Sequence, residues 1–210
     1  MDLDSIQAVL CDMDGTLVDS DDSVDRAWIR WSHKYGVDPD TTLAIAHGTP
    51  ADVTVRRLRP DFTDQQVDDA AADQLTMQYE DLGDVVATPG ALRLVETLDR
   101  RGFPWAIVTS ADRRLAAARL GRVGISPPVL VTVEDVTVGK PDPEGYLRAA
   151  SMLGVPPERC LVVEDTEVGL QAGRSAGAST AGLKGLEGDV LLINAGELAD
   201  LLADLTPGPE

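Results

Sequence analysis

The sequence predicts an α/β fold, in which a Rossmann-like, doubly wound parallel sheet forms a core that is interrupted by an inserted α-helical cap. Two observations predict the core: short apolar runs typical of buried strands, and segments of helical periodicity between them. A third observation predicts the cap, because a long stretch after the first apolar run has helical periodicity and no strand pattern. We expect the core at residues 1–18 and 86–210 and the cap at residues 19–85.

The predicted strands are short and almost wholly apolar. The first, residues 6–11 (Ile-Gln-Ala-Val-Leu-Cys), ends in acids and Gly15. Runs of this kind are typical of parallel strands that are buried on both faces. Three further runs share the pattern, at residues 105–108, 129–133 and 160–163.

Helical patterns separate these strands. Leu92, Val95 and Leu98 fall on one face of a helix that follows Pro89-Gly90. A second helix has apolar residues at the i, i+3, i+4, i+7 spacing, which are Tyr146, Ala149, Ala150 and Leu153. Glycines typical of helix C-termini close four helical stretches, at Gly102, Gly124, Gly154 and Gly177. The alternation of strands and helices favours a parallel sheet with helices on both faces.

The cap segment contains amphipathic stretches, such as the one that carries Val24, Ala27, Trp28 and Trp31. We expect its two tryptophans to form the core of the cap. In open α/β sheets, ligands bind at the carboxyl ends of the strands. An insert directly after the first strand is therefore expected to overhang the ligand site as a lid.

Acidic residues dominate the 210-residue chain, in which 36 Asp and Glu face 18 Lys and Arg for a net charge of −18. This charge disfavours binding to nucleic acids and to anionic membranes. No run approaches the roughly 20 apolar residues that span a bilayer, and the acidic N-terminus lacks the basic start of a secretory signal. Cys11 and Cys160 are expected to be buried free thiols. We expect a cytoplasmic protein, monomeric or weakly dimeric, that binds a small molecule.

Polar clusters follow the predicted strands at their carboxyl ends. The first is Asp12-Met13-Asp14-Gly15-Thr16, in which carboxylates two residues apart start toward the same side and Gly15 allows the turn that brings them together. Carboxylates at this density predict a bound cation, and hard Mg²⁺ prefers oxygen ligands. The glycine lies at the fourth position rather than the sixth, so the spacing is not that of a calcium loop.

Three more clusters come after later strands. The hydroxyls of Thr109 and Ser110 suit a phosphate oxygen, and Lys140 lies in a constrained Gly-Lys-Pro-Asp turn as a point charge for a phosphoryl group. Glu164 and Asp165 form a second acidic pair after an apolar strand. Each cluster alone is also typical of a turn, a loop or a helix cap. All four in order, each at a strand end, form a far more specific signal.

In combination, these motifs resemble the haloacid dehalogenase superfamily over nearly the whole chain. The matching residues are Leu10-Cys-Asp-Met-Asp-Gly-Thr-Leu-Val-Asp-Ser20, Val108-Thr109-Ser110, Lys140-Pro-Asp-Pro143, Val163-Glu164-Asp165, Gly169 and Ala176-Gly177. Within the superfamily, Ala27-Trp28 and Ala46-His47-Gly48 look most similar to bacterial sugar-phosphate and hexitol-phosphate phosphatases. Yeast-type glycerol-phosphate and deoxyglucose-phosphate phosphatases remain open as close relatives.

The resemblance implies a Mg²⁺-dependent phosphatase that works on a small phosphorylated metabolite through a phospho-aspartate on Asp12. Asp14 would protonate the departing alkoxide and then deprotonate the attacking water. The phosphate oxygens would be held by Thr109 and Lys140, with Ser110 binding substrate beside them. The implied Mg²⁺ ligands are Asp12, the backbone carbonyl of Asp14, Asp165 and, through water, Glu164.

Two further substrate-binding residues are expected in the cap. His47 and Gly48 lie in a predicted helix–helix connection that would point into the site. The alternative for His47 is a loop histidine bonded to a backbone carbonyl.

Single residues distinguish the phosphatase from other activities of the superfamily. True dehalogenases lack the second acid that Asp14 provides, and phosphonate hydrolases need a lid lysine, for which Lys34 is the only candidate. The closest rival is a sugar phosphomutase similar to β-phosphoglucomutase. Such mutases carry a histidine and an arginine where this chain has Val24 and Ala51, which favours the phosphatase. A binding module that kept the fold without turnover is the third alternative.

Overall fold

The computed structural model describes residues 5–46 and 49–204, and its core is a six-stranded parallel sheet. The strands of the chain are β1 (Ala8–Cys11), β2 (Val18–Asp19), β3 (Val86–Ala87), β4 (Trp105–Val108), β5 (Leu130–Val131), β6 (Cys160–Glu164), β7 (Ser179–Gly182) and β8 (Val190–Leu191). The sheet has the order β5-β4-β1-β6-β7-β8, with every neighbouring pair parallel. The predicted fold class is confirmed.

Strand β1 lies at the centre of the sheet, between β4 and β6. Leu10 is in register with Ala106 on one side and with Val162 on the other. Because side chains alternate across a strand, these three share a face, where they pack against Tyr146 and Ala149. The residues on the opposite face are buried as well, as the apolar runs predicted.

A short antiparallel ribbon carries the chain out of the core and back into it. Strands β2 and β3 form this ribbon, with Val18 opposite Ala87. The Thr88 hydroxyl donates to the Thr16 carbonyl at 2.7 Å, and the Thr88 amide donates to the Leu17 carbonyl at 3.1 Å. These bonds fix both ends of the insert at the loop that follows β1.

Residues Ser20–Val85 form one compact unit, and the rest of the described chain forms the other. The first unit is helical: α1 (Asp21–Tyr35), α2 (Pro39–Ala46), α3 (Ala51–Leu58) and α4 (Asp64–Glu80). Trp28 and Trp31 are both buried in its core, as predicted, with their rings 5.3 Å apart in a T-shaped pair. The Trp31 indole donates to the Ala70 carbonyl at 2.8 Å.

The helices of the core unit are α5 (Ala91–Arg100), α6 (Arg113–Val123), α7 (Glu144–Leu153), α8 (Glu167–Ser175) and α9 (Ala195–Asp204). In α7, Tyr146, Ala149 and Ala150 are buried as predicted, and the fourth predicted residue, Leu153, is partly buried. The prediction for α5 is confirmed for Leu98, which is buried, and wrong for Leu92, which is 51% exposed, and Val95 is only partly buried. The other buried apolar residues of the helix are Ala91 and Leu94. Helix α5 packs against α9.

Two other sequence-based expectations need correction. The strand expected at residues 129–133 covers only Leu130–Val131, because a 3-10 turn at Val133–Asp135 follows at once. Strands β7 and β8 were missed, since β7 is made of small residues, Ser-Thr-Ala-Gly, that carry no apolar pattern.

Cys11 and Cys160 are buried free thiols, as predicted. Within the described part of the chain, no helix has the length and apolar character that crossing a membrane requires.

Candidate active site

The polar clusters predicted from the sequence lie at one edge of the sheet. Asp12 follows β1, Thr109 follows β4, and Glu164 and Asp165 mark the end of β6. Because β1 lies between β4 and β6 and all three are parallel, their carboxyl ends meet at this edge. Lys140 reaches the same place from the loop before α7.

The Lys140 ammonium joins two of the strand ends. It donates to Asp12 Oδ1 and to Glu164 Oε1, both at 2.6 Å, and to the Val108 carbonyl at 3.1 Å. The side chains of Lys140 and Asp12 are each 11% exposed, and that of Glu164 is fully buried. One buried lysine therefore stands between two buried carboxylates and touches the residue before Thr109.

The loop that carries Lys140 is shaped by its own polar groups. Glu144 Oε2 accepts hydrogen bonds from the amides of Thr137 and Val138, both at 2.9 Å. Asp142 Oδ1 accepts from the Glu144 amide at 3.0 Å, at the start of α7. These bonds tie the loop to the first turn of the helix, which directs Lys140 toward the sheet edge.

Burial and neighbouring charges shift the pKa values of Asp12 and Lys140 in this cluster. Burial, partly offset by Lys140, raises the pKa of Asp12 well above its usual range, and the nearby charges of Glu164 and Asp165 raise it further. Burial opposes the charge of Lys140, but Asp12 and Glu164 together hold the pKa of the lysine above its ordinary value. Within the described residues, three carboxylates, those of Asp12, Glu164 and Asp165, pair with two ammonium groups, those of Lys140 and Lys184, so negative charge is in excess among them.

An oxygen-rich cation site fits this imbalance. One carboxylate oxygen from each of Asp12, Glu164 and Asp165 lies within 4.8 Å of the other two. The donor set contains only oxygen, which is the set that Mg²⁺ and Ca²⁺ accept. These residues therefore fit a hard divalent ion. The Asp14 side chain is not part of this group.

Glu164 is held more firmly than the sequence suggested. Its Oε1 accepts from the Tyr146 hydroxyl at 2.8 Å, in addition to Lys140, and its Oε2 accepts from the Thr166 hydroxyl at 2.8 Å. A Cβ atom on Gly169 would lie 1.8 Å from Glu164 Oε1, so only glycine fits there. The close approach that Gly169 permits is therefore to this carboxylate.

Asp165 lies against the loop that follows β1. Its Oδ2 pairs with Lys184 Nζ at 3.0 Å, and its Oδ1 accepts from the Thr16 hydroxyl at 3.4 Å. Gly15 has φ = +81°, and a Cβ there would lie 1.9 Å from Asp165 Oδ2. Gly15 thus makes the sharp turn predicted from the sequence and also leaves room for Asp165.

Asp14 points to a different partner. Arg119 of α6 forms a salt bridge with it, with Nη1 2.8 Å from Asp14 Oδ2. The Arg119 side chain is 3% exposed and that of Asp14 is 29% exposed. The two acids of the first motif are therefore separated: Asp12 pairs with Lys140, and Asp14 pairs with Arg119.

The remaining predicted residues are less constrained. Thr109 is buried, and its hydroxyl accepts from the Ala111 amide at 3.0 Å, while Ser110 is exposed beside it. His47 and Gly48 lie outside the described residues, so their predicted contacts remain predictions.

Sequence reasoning missed three side chains at this edge: Arg119, Lys184 and the hydroxyl of Tyr146. Arg119 had a visible signal, because it stands in a stripe of α6 whose other buried members, Leu115, Ala116 and Leu120, are apolar. For Tyr146 the sequence predicts only a place on the buried face of α7. Lys184 follows β7, a strand without a recognisable pattern.

Comparison with known proteins assigns this arrangement to a class of enzymes. Residues 6–177 match the model of the haloacid dehalogenase-like hydrolases, so the chain belongs to that family, as the motifs predicted. It is 40% identical to hexitol phosphatase A of Escherichia coli over 172 residues, which covers 80% of this chain and 78% of that protein. It is 35% identical to 2-deoxyglucose-6-phosphate phosphatase 1 of Saccharomyces cerevisiae, covering 96% and 89% of the two chains. The prediction of a phosphoric monoester hydrolase is confirmed at this level.

A solved structure that is named as a mutase, not as a phosphatase, has the same fold. The β-phosphoglucomutase of Clostridium difficile superposes with a TM-score of 0.81 over 92% of this chain and 93% of its own, at 20% identity. At that identity the likeness extends to the fold alone.

Proposed function

We propose that the protein is a Mg²⁺-dependent phosphatase that hydrolyses a small phosphate monoester through a phospho-aspartate on Asp12. The substrate class is a sugar phosphate, a sugar-alcohol phosphate or a glycerol phosphate, as the names of its phosphatase relatives suggest. One observation carries the proposal: Asp12 and Glu164 share the Lys140 ammonium at 2.6 Å, beside Asp165. That arrangement brings together a carboxylate nucleophile on Asp12, an ammonium group on Lys140 that can bind phosphate, and a group of carboxylates that can bind a metal ion.

The first half of the reaction transfers the phosphoryl group to the protein. An Asp12 carboxylate oxygen forms a bond to phosphorus as the bond to the ester oxygen breaks. Asp14, in its protonated form, gives its proton to the departing alkoxide. Lys140, Thr109 and Ser110 bind the oxygens of the transferred group, and the lysine charge offsets the negative charge that the transition state spreads over them.

The second half frees the enzyme. Asp14, now a carboxylate, removes a proton from water as the water oxygen bonds to phosphorus. The bond between phosphorus and Asp12 breaks, and inorganic phosphate leaves with the Asp12 carboxylate restored.

Asp12, the backbone carbonyl of Asp14, Asp165 and, through water, Glu164 would hold Mg²⁺. When bound, the ion supplies the positive charge that lets an anionic nucleophile approach an anionic phosphate. The carboxylate oxygens within 4.8 Å of one another support this ligand set.

The remaining parts of the proposal concern the cap and the setting of the enzyme. The segment at residues 19–85 would act as a lid on a core at residues 1–18 and 86–210, and His47 and Gly48 would contribute to substrate binding. The protein would act in the cytoplasm, as a monomer or weak dimer, with no nucleic acid or membrane partner. The net charge of −18 supports this choice of partners.

Phosphate release from a panel of sugar, polyol and nucleotide monophosphates tests the proposal. Asp12→Asn should abolish release, whereas Asp68→Asn, the same change at an exposed position of α4, should leave the rate unchanged. A chelator should stop the wild-type reaction and added Mg²⁺ should restore it. Persistent activity in Asp12→Asn would overturn the proposal. An isomerised sugar phosphate in place of free phosphate would indicate the mutase instead.

A further inference from the structure

We propose that Arg119 is a positioning residue for Asp14, which fixes the carboxyl group that delivers the proton to the leaving group. The proposal rests on the proposed function and adds to it a residue outside the four sequence motifs. Its basis is the salt bridge of 2.8 Å between Arg119 Nη1 and Asp14 Oδ2.

Arg119 is held in place by the helix that carries it. Helix α6 is capped at its start by Asp112, whose side chain accepts from the Leu115 amide, and it ends at Gly124 in the left-handed conformation. Leu115 and Leu120 anchor its buried face. The Arg119 side chain is 3% exposed, and its ion pair with Asp14 offsets part of the desolvation cost of burying the charge. The helix therefore holds the arginine at a buried position from which it reaches Asp14.

The backbone around Asp14 is fixed independently of this pair. The Gly15 amide donates to the Val18 carbonyl at 2.7 Å, and the Leu17 amide donates to the Met13 carbonyl at 2.9 Å. The loop would keep its path without Arg119. What the arginine adds is the direction of the Asp14 side chain, which is 29% exposed and so open to solvent on one side. A leaving group or a water molecule can approach it from there.

The orientation of the Asp14 carboxyl group should affect the rate most for substrates whose leaving group must be protonated as it departs. Phenolate is a poor leaving group and requires the proton as its bond to phosphorus breaks, whereas 4-nitrophenolate departs as a stable anion. Phenyl phosphate and 4-nitrophenyl phosphate have almost the same shape. A misdirected acid should therefore slow the first compound more than the second, whereas general damage to the site should slow both equally.

The experiment compares kcat/KM for these two phosphates, since this constant reports the steps up to departure of the leaving group. In Arg119→Met we expect a fall of about 30-fold on phenyl phosphate and about threefold on 4-nitrophenyl phosphate. The larger loss stays below the roughly 10²–10⁴-fold that a general acid contributes, because Asp14 itself is still present. Arg119→Lys, which keeps a cation near Asp14, should recover most of the loss on phenyl phosphate. Arg122→Met, the same change at an exposed position of α6, should alter both constants less than about twofold.

Two further variants separate the possible failures. Asp14→Asn should show at least the same discrimination between the two compounds, and adding Arg119→Met to it should not increase the discrimination, because both changes disable one group. Equal losses on both compounds in Arg119→Met would overturn the positioning role. Should that variant fail to fold, Arg119→Gln, which removes the charge and keeps a polar side chain, takes its place, and equal losses on both compounds in Arg119→Gln contradict the proposal. Activity in Asp12→Asn would instead overturn the proposed function itself.

Discussion

Gly169→Ala should damage the site through its most crowded contact. Gly169 lies in the first turns of α8, where a Cβ atom would meet Glu164 Oε1 at 1.8 Å and Glu164 Cδ at 1.9 Å. The Glu164 carboxylate cannot retreat without loss, because it is fully buried and accepts hydrogen bonds from Lys140, Tyr146 and Thr166. The added methyl group must therefore displace a carboxylate that positively charged and polar groups hold on several sides.

The size of the effect follows from two contributions. Forcing a methyl group into a packed interior costs about 1–3 kcal/mol. Each hydrogen bond to a charged group that breaks as Glu164 moves costs about 1.5–3 kcal/mol more. We therefore expect the free energy of unfolding to fall by about 3–5 kcal/mol if at least one such bond is lost. Phosphatase activity should fall with it, because Glu164 positions Lys140.

Urea unfolding followed by circular dichroism measures the loss of stability. The matched control is Gly121→Ala, an exposed glycine of α6 whose Cβ would meet nothing within 4 Å. That change should stabilise the protein by about 0.5–1 kcal/mol, as alanine does in a helix. If the free energy of unfolding of Gly169→Ala lies within about 1 kcal/mol of the wild-type value, the contact between residue 169 and Glu164 is less crowded than the structure indicates.

Three other predictions concern single side chains. Tyr146→Phe removes the hydroxyl that donates to Glu164 at 2.8 Å, and urea unfolding should show a loss of about 1.5–3 kcal/mol. Trp31→Ala empties the core of the helical insert and should cost about 3–5 kcal/mol in the same assay, whereas an unchanged midpoint would contradict its burial. Burial and the hydrogen bond to Asp73 raise the pKa of Tyr35 from 10.0 to about 12. Because the Tyr35 hydroxyl loses its proton more readily in the unfolded chain, its contribution to the free energy of unfolding is complete below pH 10.0 and is lost as the pH rises through about 12. Between about pH 9 and about pH 11, the wild type should therefore lose more stability than Tyr35→Phe, and equal losses would contradict the shift.

The central strands could be predicted from the sequence because burial on both faces leaves a visible mark. Strands β1 and β4 are uninterrupted apolar runs that end directly before a polar cluster, and β6 is apolar up to its last residue, Glu164, where its polar cluster begins. Their order in the sheet then follows from parallel pairing, which brings Asp12, Thr109 and Glu164 to one edge. The meeting of Asp12, Thr109 and Glu164 at one edge of the sheet could therefore be predicted from the sequence alone.

The parts that could not be predicted depend on contacts between elements. In α5, residues Leu92 and Leu94 are equally apolar, and only the packing of the helix in the fold decides that Leu94 is the one buried. Strand β7 is visible only through its pairing with β6, so the place of Lys184 beside Asp165 could not be inferred. The pairing of Asp14 with Arg119 spans over a hundred positions and joins a loop to a helix, with no motif that contains both.

The central claim is that Asp12 carries the phosphoryl group during turnover. Its most direct test is to quench the enzyme with acid during hydrolysis of 4-nitrophenyl phosphate, reduce any acyl phosphate with borohydride, and sequence the peptide that contains residue 12 by mass spectrometry. We predict homoserine at position 12 in the wild type and unmodified peptide in Asp12→Asn. A wild-type enzyme that turns over with no modification at this position, or with the modification at another acid, would contradict the mechanism.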